Sequence, residues 1–152
     1  MKPEYMIPDL SGRPHEARIV RVMRARPPEI YRSFTSGWEG WFALPGGLLA
    51  DPVPQGQLFF VVDFEGRRHP HYGRFLALEP NRSAELTWLT GEGGTNGAET
   101  VLSIEIEPLD DGSKVTLVHR GFYDQQAADH HGTSWSAILE ALDQRLTSSI
   151  AP

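Results

Sequence analysis

The stretch VTLVHRGFYDQQAADHHG at residues 115–132, with the amphipathic run WSAILEALDQRLTSSI at 135–150 that follows it, decides the fold. Val115, Leu117 and His119 alternate with Thr116, Val118 and Arg120, so the segment reads as a strand whose inward face carries a histidine. A turn follows, with Asp124 or Asp129 available as a helix cap. Trp135, Leu139, Leu142, Leu146 and Ile150 then recur at spacings of three and four. That is one apolar stripe on a C-terminal helix of ~16 residues, some 24 Å long.

Working back from this stretch, Leu102, Ile104 and Ile106 alternate with Ser103, Glu105 and Glu107, and Asp110-Asp111-Gly112 makes a tight hairpin into the next strand. GEGGTNG at 91–97 runs from strand to strand, so it reads as a hairpin loop. It lacks the helix N-terminus that a phosphate-binding loop needs. Ala84, Leu86 and Trp88 share a face of one more strand, and 71–78 forms another. Residues 57–64 are apolar on both faces at their centre, which suggests cover on both sides. Near the start, ARIVRVMRA at 17–25 is a β-branched strand, ended by Pro27-Pro28. The prolines open a short helix, where a missing N–H costs nothing. A second short helix is expected over 37–44, stopping at Pro45-Gly46-Gly47, and a Pro/Gly-rich loop runs on to Gly56.

The expected fold is therefore α+β: a curved antiparallel sheet of about six strands wrapped around a long C-terminal helix, with two short helices after the first strand. Residues 1–16, with three prolines and no periodicity, form an N-terminal arm, and 17–152 a single domain. A sheet wrapped around one helix often leaves room between them for a small ligand.

Composition narrows the function classes. Apolar residues make up 39% of the 152, with 4 Trp, 4 Tyr and 7 Phe, enough for a real core. The chain has no cysteine, which excludes disulfides, thiolate zinc sites and a cysteine nucleophile and suits a reducing, cytoplasmic setting. The first residues lack the apolar core of a secretion signal, and no segment reaches the roughly 20 apolar residues a membrane span requires. Net charge is −6 and the basic residues are scattered, so nucleic acid is not an expected partner.

Four segments in order carry a family resemblance: RVMRARPPEIYRSFTSGWEGWFA (21–43), GRFLALEPNRSAELTW (73–88), VTLVHRGF (115–122) and HHGTSWSAILEAL (130–142). Together they resemble the START/Bet v 1-like (SRPBCC, helix-grip) superfamily, in particular the branch related to the C-terminal domain of the activator of heat-shock-protein-90 ATPase. The resemblance spans roughly residues 17–148. One departure is Ser134 before Trp135, where that branch usually has glycine. The resemblance implies a cavity-bearing domain, but its members include hydrophobic-ligand carriers, polyketide cyclases and aromatases, stress-response and resistance proteins, and the chaperone co-factor itself. Fold alone does not choose among these.

The candidate chemistry is sparse. His119, facing inward, could exchange a proton with a bound carbonyl or phenol, or serve as a hydrogen-bonded core histidine. Trp38 and Trp41, with Phe42, cluster on one short helix that in such a fold closes one end of the cavity, and Tyr72 and Trp88 lie on nearby strands. His69 and His71 flank a proline, and His130 and His131 are adjacent. Neither spacing converges on a metal, and none is expected, nor any cofactor.

The leading expectation is binding of a small, largely apolar, aromatic or polycyclic molecule. Its lining would be Trp38, Trp41, Phe60, Tyr72, Trp88, His119 and Trp135, with His119 as polar contact and residues 45–56 as a movable lid. The first alternative is a cyclase- or aromatase-like enzyme using His119 as acid/base with a tyrosine assisting. The second is an interaction module docking on a chaperone. A homodimer through the sheet edge or the N-terminal arm is compatible with all three.

Overall fold

A computed structural model describes residues 7–148. The elements run β1 (His15–Met23), α1 (Pro27–Ser33), a single 3-10 turn (Trp38–Gly40), β2 (Leu49–Ala50), β3 (Gln57–Phe64), β4 (Arg67–Glu79), β5 (Ser83–Trp88), β6 (Thr100–Leu109), β7 (Gly112–Phe122) and α2 (Gln125–Ser148). The strands form one antiparallel sheet in the order β1-β7-β6-β5-β4-β3-β2, and α2 lies across its concave face against β1 and β7. This is the expected helix-grip arrangement, with seven strands rather than about six because two residues of the 45–56 loop add a short edge strand.

Period-two alternation places the core. Ala84, Leu86 and Trp88 on β5, Leu102, Ile104 and Ile106 on β6, and Val115, Leu117 and His119 on β7 are all buried beneath Trp135, Leu139 and Leu142 of α2. Leu146 packs at the rim of that cluster, while Ile150 lies outside the described residues. On β3, Leu58 and Phe60 are buried, but Phe59 on the outer face is covered only in part, by its cross-strand neighbour Tyr72. The second covering layer expected there is absent among the described residues.

Several expected boundaries move: β1 begins at His15, inside the segment read as an arm, and β4 begins at Arg67 rather than at 71. α2 begins at Gln125, ten residues before the apolar stripe, and is 24 residues long. Asp124 caps it, its Oδ1 accepting the Ala127 N–H at 2.7 Å. Its first turns bury only Ala127 and Ala128, small residues that leave no stripe to read. Small residues also let the helix approach β1: a Cβ on Gly132 would stand 3.3 Å from Ala17 Cβ. The second short helix shrinks to the 3-10 turn, in which the Trp38 carbonyl accepts the N–H groups of Phe42 and Ala43 and the chain turns away.

The strand-to-helix junction after β1 is tied by α2. Asp143 accepts the Arg24 and Ala25 N–H groups at 3.0 and 2.9 Å, and the buried Ser113 hydroxyl donates to the Ala25 carbonyl at 2.7 Å. At the far end of β7, Gly121 adopts φ +95 at a bulge opposite β1, and an added Cβ would meet Leu10 Cδ2 at 2.7 Å.

Candidate functional site: an aromatic column on the concave face

α1 and the 3-10 turn deliver the first rings. Pro27 and Pro28 occupy the first helical positions, and the helix ends at Phe34, whose ring is fully buried. The Trp41 indole N–H donates to the Ser33 carbonyl at 3.0 Å, which clips the 3-10 turn to the end of α1. Trp38 is thereby driven into the core at 0% exposure, while Trp41 and Phe42 remain half-buried at the surface.

The sheet supplies the facing rings. Trp41, Trp38, Phe60 and His71 form a near-parallel series, with successive centroids 5.4, 5.1 and 4.9 Å apart and interplanar angles of 20°, 18° and 14°. These are offset stacks of the favoured kind. Trp88 stands across the series, 5.5 Å from Trp38, 5.7 Å from Phe60, 4.9 Å from His71 and 5.4 Å from Trp135. Phe42 stacks on Trp135 of α2 at 6.2 Å and 18°. Five expected lining residues, Trp38, Trp41, Phe60, Trp88 and Trp135, therefore meet in one cluster.

Tyr72 does not join them. It is 51% exposed on the convex face, paired with Phe59 at 5.2 Å. The reason is a bulge in β4: Phe75 opposes the inward Leu86, yet Ala77 opposes the outward Glu85. The extra residue shifts the alternation, so upstream of it His71, opposite Phe60, faces in and Tyr72 faces out. His71 is the ring that pattern reading passed over.

His119 is completely buried and both its ring nitrogens are engaged. The Trp135 indole N–H, a donor only, reaches His119 Nδ1 at 3.0 Å, so Nδ1 must be the acceptor and Nε2 carries the proton. Nε2–H then donates to Thr100 Oγ1 at 2.7 Å, and the Thr100 hydroxyl donates on to the Trp88 carbonyl. Burial, with His131 nearby, holds the His119 pKa well below the ordinary histidine value. A neutral ring with no free nitrogen has neither a proton nor a lone pair to offer a substrate. Burial likewise pushes His71 down to about 4, against the bond from Nδ1–H to the His69 carbonyl at 2.9 Å. It also lowers His131, whose Nδ1–H donates to the Ala127 carbonyl. Neither His69 with His71 nor His130 with His131 was expected to converge on a metal. In the structure His69 lies near Phe64 at the far end of the sheet, and His130 points outward.

The Trp38 indole nitrogen differs from those of Trp41 and Trp135: it is buried and has no hydrogen-bond partner. The part of the 45–56 loop next to β3 is fixed to the sheet. Asp51 N–H donates to the Gln57 carbonyl, Gln55 N–H to the Phe75 carbonyl, and Phe75 N–H to the Gly56 carbonyl, at 2.7 to 2.9 Å. Two open depressions of about 430 Å³ each lie on the convex face, lined by charged and hydroxyl side chains such as Glu105, Arg82, Lys114 and Ser103. No helix among the described residues is long and apolar enough to cross a membrane.

The same architecture recurs in solved structures. Protein CV1439 from Chromobacterium violaceum is similar at 23% identity and a TM-score of 0.71, over 87% of this chain and 96% of that one. The Mll3558 protein from Rhizobium loti is similar at 19% identity and a TM-score of 0.72, over 86% and 96%. The Aha1 dimer from Colwellia psychrerythraea is similar at 20% identity and a TM-score of 0.63, over 86% and 95%. These likenesses concern the fold. No curated protein matches the chain. The family model described as Activator of Hsp90 ATPase homolog 1-like protein matches residues 24–147, and with the helix-grip sheet around α2 now in view, the chain belongs to that family.

Proposed function

We propose that the chain binds a small, planar, largely apolar molecule on the concave face, seated among Trp38, Trp41, Phe60, Trp88 and Trp135. The observation that carries this reading is the stacked aromatic series, whose outermost members, Trp41 and Phe42, are half-buried on a segment with only one 3-10 turn of regular structure. Flat rings offer large contact area to a flat ligand at low conformational cost. Displacing Trp41 and Phe42, followed by Pro45-Gly46-Gly47, opens the column while β3 to β7 stay in place. His119 and Tyr72 fall outside this lining for the reasons given above.

Native mass spectrometry of protein purified gently from its own host tests the proposal. A stoichiometric small conjugated molecule released on denaturation supports it. A clean mass, together with no saturable quenching of tryptophan fluorescence by either fluorene or fluorenone, refutes it.

A second reading concerns self-association. Leu49, Phe59 and Tyr72 lie in register across the convex face of β2, β3 and β4, with Leu49 64% and Tyr72 51% exposed. One structural neighbour is described as a dimer. We propose this strip as a contact between two copies of the chain. Analytical ultracentrifugation of wild type and Tyr72→Glu tests it: a dimer converted to monomer is the expected outcome, and a wild-type monomer at high concentration overturns it.

A further inference from the structure

Trp38 is fully buried in the column, as Phe60 is, and its indole N–H is the one buried aromatic donor among the described residues without an acceptor. Three neighbouring donors in the same cluster are provided for: Trp41 Nε1–H by the Ser33 carbonyl, Trp135 Nε1–H by His119, and His119 Nε2–H by Thr100. Buried polar groups in folded proteins are nearly always paired, so an isolated exception calls for a partner. Phe34, Trp41, Phe42, Phe60 and Trp88 surround the Trp38 ring at centroid distances of 5.1 to 5.9 Å, and each offers carbon or an aromatic face. None of them presents an oxygen acceptor.

We infer that Trp38 Nε1–H is the polar anchor of the concave-face site, and that its ligand carries a hydrogen-bond acceptor oxygen, a carbonyl or phenolate, on a flat apolar frame. This inference rests on the ligand-binding reading above and adds the class of molecule to it. An indole N–H donates in the plane of its ring, so the oxygen approaches Trp38 edge-on while the frame packs against the neighbouring rings. Access follows from exposure. Trp41 and Phe42, the two half-buried rings in contact with Trp38, are the ones whose departure uncovers it. A hydrocarbon of the same shape would leave the N–H as unpaired as before, so the site discriminates by one atom.

Fluorenone and fluorene, isosteric frames that differ in a single carbonyl oxygen, test this by calorimetry or fluorescence titration. Wild type is expected to bind fluorenone about tenfold more tightly than fluorene, and Trp38→Phe to bind the two alike. A parallel measurement on wild type covers the case in which Trp38→Phe fails to fold. In 15N-indole NMR, the Trp38 Nε1–H resonance, assigned from its contacts with Phe60, should move downfield with fluorenone and not with fluorene. Equal binding of both compounds by wild type overturns the inference while leaving ligand binding intact. A preference that survives in Trp38→Phe, or an unmoved Trp38 resonance, overturns it too, because another donor then holds the oxygen. Binding of neither compound overturns this inference, and the ligand-binding reading falls with it only when native mass spectrometry also finds no bound molecule.

Discussion

Replacing His119 by Phe should destabilise the protein at neutral pH, and the penalty should shrink in acid. Phe fills the place of the fully buried imidazole, which packs against Phe122 at 4.4 Å, with a slightly larger flat ring, so no cavity is left. What is lost is the chain of hydrogen bonds. The Trp135 N–H, 3.0 Å from His119 Nδ1, is left without an acceptor, whereas the Thr100 hydroxyl keeps its bond to the Trp88 carbonyl. One stranded buried donor corresponds to about 2 kcal/mol at pH 7.5. The pH dependence follows from linkage. The folded-state pKa of His119 lies well below the value of 6.5 that it has when unfolded. The unfolded chain therefore binds the extra proton first, and wild-type stability falls as pH drops below 6.5. Charging the folded ring would set a protonated Nδ1 against the Trp135 N–H, two donors facing each other, so the folded ring stays neutral. Each pH unit in that window costs wild type about 1.4 kcal/mol that the variant, lacking the imidazole, does not lose. Urea denaturation of both proteins at pH 7.5 and pH 5 measures the two gaps. A gap that is the same at both pH values would refute the neutral, doubly bonded His119.

Two further outcomes follow. Asp143→Ala removes the carboxylate that accepts the Arg24 and Ala25 N–H groups, and should lower stability by roughly 2–3 kcal/mol in chemical denaturation, with Asp143→Asn recovering part of it. His71→Phe keeps the stack on Phe60 but removes a group held near 4, whose neutral form makes wild type lose stability as pH falls from 6.5 toward 4. Its acid-unfolding midpoint, followed by near-UV circular dichroism, should move down by roughly half a pH unit.

The strands β5, β6 and β7 and the stripe of α2 were legible in the chain because each shows an uninterrupted local period. Leu102, Ile104 and Ile106, or Leu139 and Leu142, point the same way whatever surrounds them. The helix-grip class followed from the order of those patterns, while the family was suggested by the resemblance of four segments and shown by the family model. The first turns of α2 were not legible, because Ala127 and Ala128 bury too little side chain to mark a face. Nor was the single 3-10 turn at Trp38–Gly40, whose closure depends on Trp41 reaching back to Ser33.

Which rings share the concave-face cluster was decided by tertiary structure. Five of the expected aromatic residues meet in one cluster, but the bulge between Phe75 and Ala77 turns Tyr72 outward and His71 inward, and a bulge is visible only in the register against β5. His119 was correctly placed on the inward face of β7. Its role depended on Thr100 and Trp135, which supply the acceptor and the donor from β6 and α2. Periodicity is a property of neighbouring residues along the chain and survives in the sequence. Whether a buried nitrogen finds a partner, as in His119, or goes without, as in Trp38, is settled only when distant strands and the helix close over it.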